Sequence, residues 1–392
     1  MEDSEAGRRG SLLRAVSVIL LVSLGLYTLY ERATVLQQLE RVARDFHAQL
    51  LSPRESTPLA VVLISEDDYR ALFDSSSPLD RSRLEKLLRA IAKGGPKLIG
   101  VDLATDDPRL RGLGSEIGAP IVWARELADC HTLTPKPVRC VESNPWVLLD
   151  FAGAEDSGSQ SGLVVLRTDP DGVIRRYSRF LKVQDTLLPS FPTAIAEAVR
   201  GRVGEPTDRE YLTEYRPLPK GSFYPASFVL EASERPGFGE RGFLKDRVVM
   251  LGGSYRAARD QYRTPLGEKH GVEILAQIAQ TELDVKSEGD RVKPIGLDRI
   301  GIVLFLNGLV LLFLYQMVSF PRAFWVSLLL IPVLATLCSL LFAKSPFALW
   351  PYLVPLQLAV LVQQLYSHAK GYRNALIRSY SKKLTGAIAG SE

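Results

Sequence analysis

The chain has 392 residues, a formal net charge of +4, and 46% hydrophobic against 23% charged residues. This length accommodates one sizeable folded domain together with a membrane part. The sequence has neither a lysine-rich block nor a low-complexity tail, which excludes the usual nucleic-acid-binding tails. It also lacks an internal repeat of about 20–50 residues, which excludes a solenoid.

The first uncharged run, residues 15–30, follows three arginines within residues 8–14. Basic residues before an apolar run are typical of both a cleaved signal peptide and an uncleaved signal anchor. A cleavage site needs small residues, whereas residues 26–30 are mostly bulky and include two tyrosines that suit a membrane interface. The pattern therefore favours a transmembrane anchor over a signal peptide, with residues 1–14 in the cytoplasm.

Residues 31–51 predict an amphipathic helix that continues from the anchor. The apolar side chains at helical spacing are Val35, Leu39, Val42, Phe46 and Leu50. Two interpretations stay open for this apolar face. We favour packing against the domain that follows, and the alternative is a dimerising stalk. About two heptads are too few to establish a coiled coil.

From residue 59 onward the sequence alternates buried strands with amphipathic helices. Strands are predicted at 59–64, 98–103 and 120–124, with a helix capped by Asp80 between the first two and a short helix at 108–117. This order predicts an α/β domain, mainly a parallel sheet with flanking helices. The further predicted strands are 146–151, 163–168, 173–181 and 247–251, and the further helices are 192–200 and 272–283.

Acidic residues follow the first two predicted strands. Because the carboxyl ends of parallel strands form the edge at which α/β folds bind ligands, these residues predict a candidate ligand or cation pocket. Its members are Glu66, Asp67, Asp68, Asp102, Asp106, Asp107 and Arg81. The same residue types also cap helices and stabilise their first turns, and this structural role is the favoured interpretation.

The sequence carries no motif for catalysis, and no catalytic residue, cofactor or metal is expected. Residues 237–242 match G-x-G-x-x-G but precede a strand, so they do not predict dinucleotide binding. Cys130 and Cys140 predict a disulfide if the compartment is oxidising, with two free thiols as the alternative. Cys338 falls in an apolar run, where a cysteine serves as a small packing residue.

Three uncharged runs near the C-terminus are separated only by Arg322 and Lys344. A bilayer core about 30 Å thick is crossed by roughly 20 apolar residues, so each run is long enough to span it. Transmembrane helices are predicted at about 300–320, 323–343 and 346–366. With the anchor, they give an α-helical membrane part of four spans. These runs contain no charged residue, which argues against a transport path.

The final segment, residues 368–392, contains five lysines and arginines but only one acid, Glu392. The positive-inside rule then predicts that both termini lie in the cytoplasm and that residues 31–296 lie outside it. We therefore expect a multi-pass protein of the cell inner (plasma) membrane, with the lipid bilayer as its first partner.

Six stretches occur in an order known from one family. They are 61–67 (VVLISED), 77–81 (SPLDR), 98–102 (LIGVD), 169–176 (DPDGVIRR), 244–253 (LKDRVVMLGG) and 264–275 (TPLGEKHGVEIL). This order, followed by three spans, resembles the CHASE2 family of extracytoplasmic sensor domains. The positions that carry the resemblance are Pro78, Arg81, Asp102, Asp171, Gly172, Arg175, Arg176, Gly253, Thr264, Pro265, Gly271 and Glu273. The tryptophans common in the family's proline–arginine element are replaced by Ser77 and Leu79.

The resemblance implies a membrane sensor. CHASE2 proteins typically end in a cytoplasmic output domain, whereas only 25 residues follow Ser367, too few for a catalytic domain. We therefore expect signalling through a separate membrane or cytoplasmic protein that docks on the spans or on the basic tail. A homodimer is compatible with this expectation, and a nucleic-acid partner is not expected.

Two alternatives stay open at this point. The chain could be a structural or interaction subunit of an envelope complex that transduces no signal. Residues 372–388 also loosely resemble the helix that leads from the last span to the cyclase in receptor cyclases. The tail would then be a remnant of such a receptor.

Overall fold

The structure is a computed structural model. It describes residues 25, 34–129, 146–154, 160–183, 185–202, 204–258, 260–287, 291, 302–303, 305–310, 320–343 and 349–389. The chain divides into two compact units, Ala48–Pro294 and a second unit that comprises Met1–His47 and Ile295–Glu392.

In chain order, the described strands are β1 (Leu59–Ile64), β2 (Leu98–Asp102), β3 (Ile121–Arg125), β4 (Leu127–Asp129), β5 (Trp146–Leu148), β6 (Gln160–Leu163), β7 (Arg176–Ser178), β8 (Phe180–Val183), β9 (Thr186–Pro189), β10 (Glu210–Leu212), β11 (Phe223–Pro225), β12 (Val248–Gly253), β13 (Gln261–Thr264) and β14 (Gly267–His270). The described helices are α1 (Thr34–Leu50), α2 (Glu66–Phe73), α3 (Arg81–Lys93), α4 (Phe191–Arg200), α5 (Ala226–Ser233), α6 (Phe238–Arg241), α7 (Gly271–Asp284), α8 (Phe320–Ala343) and α9 (Trp350–Ala389).

A six-stranded sheet forms the centre of the first unit, in the order β11-β1-β12-β2-β3-β6. All five pairings within it are parallel. The predicted α/β class with a mainly parallel sheet is therefore confirmed. The strand order adds one feature that the sequence did not predict, because β12, which is late in the chain, lies between β1 and β2.

Helices cover both faces of this sheet, since its strands are apolar on both sides. On one face α3 packs Leu84, Leu87 and Leu88, none of them exposed, into a core that also contains Trp123. On the other face α4 and α7 pack against residues such as Met250 in a second core. Helix α3 begins where predicted, since the Asp80 carboxylate accepts a hydrogen bond from the Arg83 N–H at 3.0 Å.

Three local predictions need correction. The predicted strand 173–181 is two short strands, β7 and β8. They are separated by Arg179, whose buried side chain forms an ion pair with Glu282. The predicted helix 108–117 is reduced to a single 3₁₀ turn, Pro108–Leu110. The predicted strand 163–168 overlaps the observed edge strand β6, Gln160–Leu163, only at Leu163.

Helix α1 confirms the predicted amphipathic helix, but burial of its apolar face is not observed. Leu39, Val42 and Leu50 are 49%, 63% and 60% exposed. Packing against the following domain, the favoured interpretation, stays a prediction, as does the dimerising stalk. Helical spacing of apolar residues predicts a face that needs a partner but does not identify the partner.

The second unit contains α8 and the 40-residue α9. Within it Gln357 donates a hydrogen bond to the side-chain oxygen of Asn307 at 3.3 Å, and both residues are buried. None of the helices in the described part of the chain combines the length and apolar character that crossing a membrane requires. The parts of the predicted spans that lie outside the described residues are 15–24, 26–30, 300–301, 304, 311–319 and 346–348.

Candidate functional site

A cavity of about 800 Å³ lies at the carboxyl edge of the central sheet. The segments that follow four of its strands supply the wall, which is the usual position of a ligand site in a parallel α/β fold. Apolar side chains form much of the lining, among them Leu103, Val165, Leu181 and Leu275. The polar lining residues include Asp102, Glu126, Tyr255, Asp260 and Tyr262.

Three carboxyl groups line this cavity, two of them at the ends of strands. Asp102 is the last residue of β2 and Glu126 directly follows β3, the parallel neighbour of β2. Asp260 precedes β13 and is held by hydrogen bonds from the Tyr262 hydroxyl and the Gly271 N–H. The three groups are close enough for their charges to interact.

Burial and mutual repulsion make these three carboxyl groups hard to ionise. Burial, followed by the charges of Asp260 and Glu126, raises the pKa of Asp102 to about 8. Burial is also the main cause that raises the pKa of Glu126, and the Asp106 and Asp260 charges add to it. Burial raises the pKa of Asp260 despite the opposing hydrogen bonds from Tyr262 and Gly271.

The lysines and arginines that line the cavity are paired elsewhere. A guanidinium nitrogen of Arg167 lies 3.3 Å from Glu210, and the Lys182 ammonium lies 4.0 Å from Asp185. Among the described residues, no lysine or arginine lies within ion-pairing distance of Asp102, Glu126 or Asp260. Negative charge on these three groups is therefore not neutralised by a lysine or arginine in that part of the chain.

Two glycines allow the backbone to approach the polar wall closely. A Cβ at Gly271, the first residue of α7, would overlap the Asp260 carboxylate. A Cβ at Gly253 would lie only 2.7 Å from the Tyr255 ring. Both positions therefore require glycine, because any side chain would displace a residue that lines the cavity.

A model of the CHASE2 domain matches residues 16–313. The chain belongs to the CHASE2 family. Comparisons with curated proteins and with solved structures gave no match. The matched range contains the whole central sheet and every residue that lines the cavity. A CHASE2 domain is an extracytoplasmic sensor domain, and the cavity lies within this domain.

Several positions that carry the CHASE2 resemblance have structural roles. Arg175 is 5% exposed and forms ion pairs of 2.9 Å with Asp169 and with Asp171, which tie the Asp-Pro-Asp-Gly turn together. Gly172 in this turn has φ of +79°, a conformation that side chains disfavour. Thr264 donates to the Gly267 carbonyl at 2.7 Å and closes the β13–β14 hairpin.

The start of α7 is fixed by another family position. Glu273 accepts a hydrogen bond from the His270 N–H at 3.3 Å and pairs with Lys269 at 3.1 Å. This contact stabilises the first turn of the helix that begins at the cavity. Arg81, in the proline–arginine element, donates to the carbonyls of Arg109 and Arg111 and holds the 3₁₀ turn.

The structure separates most of the acidic residues that the sequence grouped together. Asp68 is buried and accepts hydrogen bonds from the N–H groups of Ser65 and Ala226, which join α2 to α5. Glu66 accepts from the Arg256 N–H at 2.9 Å, which lowers its pKa, and also pairs with Arg70.

The other sequence candidates also differ in their positions. Asp107 caps the 3₁₀ turn, and its hydrogen bonds from Arg109 lower its pKa to about 2. Asp67 is exposed on the first turn of α2. Of the predicted group, only Asp102 lines the cavity, while the charge of Asp106 helps to raise the pKa of Glu126, which also lines it.

Glu126 and Asp260 were missed by sequence reasoning. Glu126 follows the third predicted strand, so the rule that selected Asp102 could have found it. Asp260 lies in the connection between β12 and β13, and no pattern in the sequence links this position to the ends of β2 and β3.

The two other predicted features of the site have different outcomes. Cys130 and Cys140 lie outside the described residues. In the part of the chain that the structure describes, no group of three or more histidine, cysteine, aspartate or glutamate side chains is arranged to hold a metal ion.

We expect Asp102→Asn to stabilise the protein in alkaline buffer. A carboxyl with a raised pKa keeps its proton in the folded state after the unfolded chain has lost it, so stability decreases as the pH rises. For Asp102 the free energy of unfolding decreases between pH 3.8, the ordinary pKa of the carboxyl, and about pH 8, its pKa in the folded protein. The decrease is up to about 1.4 kcal/mol per pH unit. Asparagine cannot lose a proton, so the variant should lack this decrease.

Melting temperatures of the full-length chain between pH 4 and pH 9 would check this expectation. Near pH 4 the variant and the wild type should melt at nearly the same temperature, and near pH 8 the variant should melt at the higher temperature. Glu55→Gln, which changes an exposed carboxyl, provides the control and should follow the wild-type curve. Parallel curves for Asp102→Asn and the wild type would show that Asp102 is not held in its protonated form.

Proposed function

We propose that this chain is a sensor of the inner membrane that binds a small, positively charged molecule in the carboxyl-edge cavity and passes the signal to a separate partner protein. The observation that carries the proposal is the cavity itself, in which three carboxyl groups lack a lysine or arginine partner among the described residues. A cationic ligand would supply the positive charge that these carboxyl groups need as a partner when they ionise.

The dimensions and chemistry of the cavity support ligand binding. Its volume of about 800 Å³ lies within the range of roughly 300–1,000 Å³ that is typical of small-molecule sites. It combines an apolar lining with a few convergent polar groups, and the pKa of Asp102 in it is strongly raised. Because a cavity of about 800 Å³ is far larger than one metal ion, we infer an organic cation.

The membrane location rests on the sequence. Residues 15–30 and the three runs between 300 and 367 are uncharged over lengths sufficient to span a bilayer. Basic residues precede the first run and follow the last, which supports cytoplasmic ends and an extracytoplasmic domain. The basic tail is then available to a cytoplasmic partner.

Helix α7 offers a route for the signal. It begins at Gly271 beside the cavity and ends at Asp284, and the chain continues from there toward residue 294, where the first unit ends. A ligand that contacts Asp260 would act on the first turn of α7, since Gly271 donates to the Asp260 carbonyl at 3.0 Å. A displacement of α7 would reach the segment that leads into the second unit.

Cysteine labelling tests the location. Ala104 is exposed and lines the cavity, and Arg373 is exposed on α9 in the basic tail. In a chain whose native cysteines are replaced by serine, a membrane-impermeant maleimide added to spheroplasts should label Ala104→Cys and leave Arg373→Cys unlabelled until the membrane is lysed. Labelling of Arg373→Cys but not Ala104→Cys in intact spheroplasts would overturn the extracytoplasmic location.

A further inference from the structure

A second, smaller cavity of about 220 Å³ lies beside α7, on residues that do not line the carboxyl-edge cavity. Its walls are mostly apolar and include Leu218, Phe223, Leu266 and Ile274. An apolar cavity of about 150 Å³ is already sufficient for benzene, so this volume accommodates a bicyclic molecule.

One buried polar group in this wall has no partner. Gln277 lines the cavity and is 8% exposed, and its side-chain oxygen accepts no hydrogen bond from any described residue. A buried acceptor without a donor costs roughly 1–3 kcal/mol, so a molecule that brings a donor to the Gln277 oxygen would gain this free energy on binding.

Three other polar side chains on this wall have partners on the same wall or next to it. Lys269 and Glu273, the two charged lining residues, pair with each other at 3.1 Å. The Thr264 hydroxyl donates to the Gly267 carbonyl and accepts from the Leu266 N–H. The lining therefore carries no net charge, and the acceptor of Gln277 is the group that a ligand would satisfy.

We propose that this cavity is a second binding site, for a small neutral apolar molecule that carries one N–H or O–H donor. The donor bonds to the Gln277 oxygen, and the apolar body contacts Leu218, Phe223 and Ile274. The site is distinct from that of the proposed cationic ligand, since the two cavities share no lining residue.

Two probes of nearly the same shape test this assignment. Indole carries an N–H donor, whereas indene has the same fused rings and no donor. Ligand-observed NMR titrations of the full-length chain in detergent, with detergent alone as the reference, would give the two dissociation constants. We expect indole to bind at least about tenfold more tightly than indene, because a site built around a buried acceptor discriminates against an analogue without the donor.

Gln277→Leu removes the acceptor and keeps an apolar side chain of similar size. In this variant the preference for indole should disappear, and indene should bind at least as well as it binds to the wild type. Equal affinities of indole and indene for the wild type would overturn the proposal, as would binding of neither probe. The comparison of the two probes on the wild type decides the question even if the variant does not fold.

Discussion

Replacing Glu282 with alanine should lower the stability of the first unit by roughly 3–5 kcal/mol, because the change leaves buried arginines without a counter-charge. Glu282 is 1% exposed and lies 2.9 Å from Arg291 and 3.2 Å from Arg179, two side chains that are themselves almost completely buried. It also accepts a hydrogen bond of 2.5 Å from the Tyr177 hydroxyl.

The charge of Glu282 depends on these contacts. Burial alone would raise its pKa, but the hydrogen bonds from Arg291 and Tyr177, together with the charges of Arg291 and Arg179, lower it further than burial raises it. The glutamate is therefore ionised in the folded protein. This cluster fixes the end of α7 to the segment between β7 and β8.

Thermal unfolding of the purified full-length chain measures this loss. For a domain of this size, roughly 2–4 °C of melting temperature corresponds to 1 kcal/mol, so we expect a decrease of about 6–20 °C. Glu231→Ala is the matched control, because Glu231 also pairs with an arginine, Arg235, but both side chains are more than 60% exposed. Exposed pairs contribute about 1 kcal/mol or less. Similar melting temperatures of the two variants would contradict the structural role of the cluster.

Replacing Trp123 with alanine should cost a similar amount, roughly 3–5 kcal/mol, for a different reason. Trp123 is 1% exposed on β3 and belongs to the core under α3. Its surroundings are tightly packed, since a Cβ at Gly114 would lie 2.9 Å from the indole ring. Truncation removes buried apolar surface and leaves a cavity that the rigid sheet fills poorly.

Denaturant titration of the full-length chain checks this second loss. We expect the midpoint to fall while the slope of the transition stays unchanged, which indicates a loss of stability without a change in the surface exposed on unfolding. Phe228→Ala provides the control, because Phe228 is an aromatic residue that is 41% exposed. An equal effect of the two substitutions would show that Trp123 is not in a packed core.

Much of the central sheet could be predicted because its strands are short apolar runs. The predicted strand 59–64 coincides with β1, and the other runs at 98–103, 120–124 and 247–251 differ from β2, β3 and β12 by one or two residues. Buried parallel strands give such runs, and caps such as Asp80 mark the helices between them. The position of β12 between β1 and β2 depends on tertiary contacts, which local patterns do not contain.

The candidate site could be predicted only in part. The rule that ligands bind at the carboxyl ends of strands pointed to Asp102. The same rule selected Glu66 and Asp68, but these side chains are used to join neighbouring segments, because acids at the start of a helix are also its best caps. Asp260 approaches from a later connection, and its place in the cavity depends on the whole fold.

The labelling rate of Ala104→Cys, in the cysteine-free full-length chain in intact spheroplasts, tests most directly whether the carboxyl-edge cavity is the sensory site. We predict that the small-molecule fraction of the culture medium slows this labelling several-fold. Labelling of Glu234→Cys, which is exposed and does not line the cavity, should not change. Neutralising the cavity with Asp102→Asn, Glu126→Gln and Asp260→Asn should abolish the protection. Unchanged labelling of Ala104→Cys in the presence of this fraction, or equal protection in the neutralised chain, would contradict a cation-binding sensor.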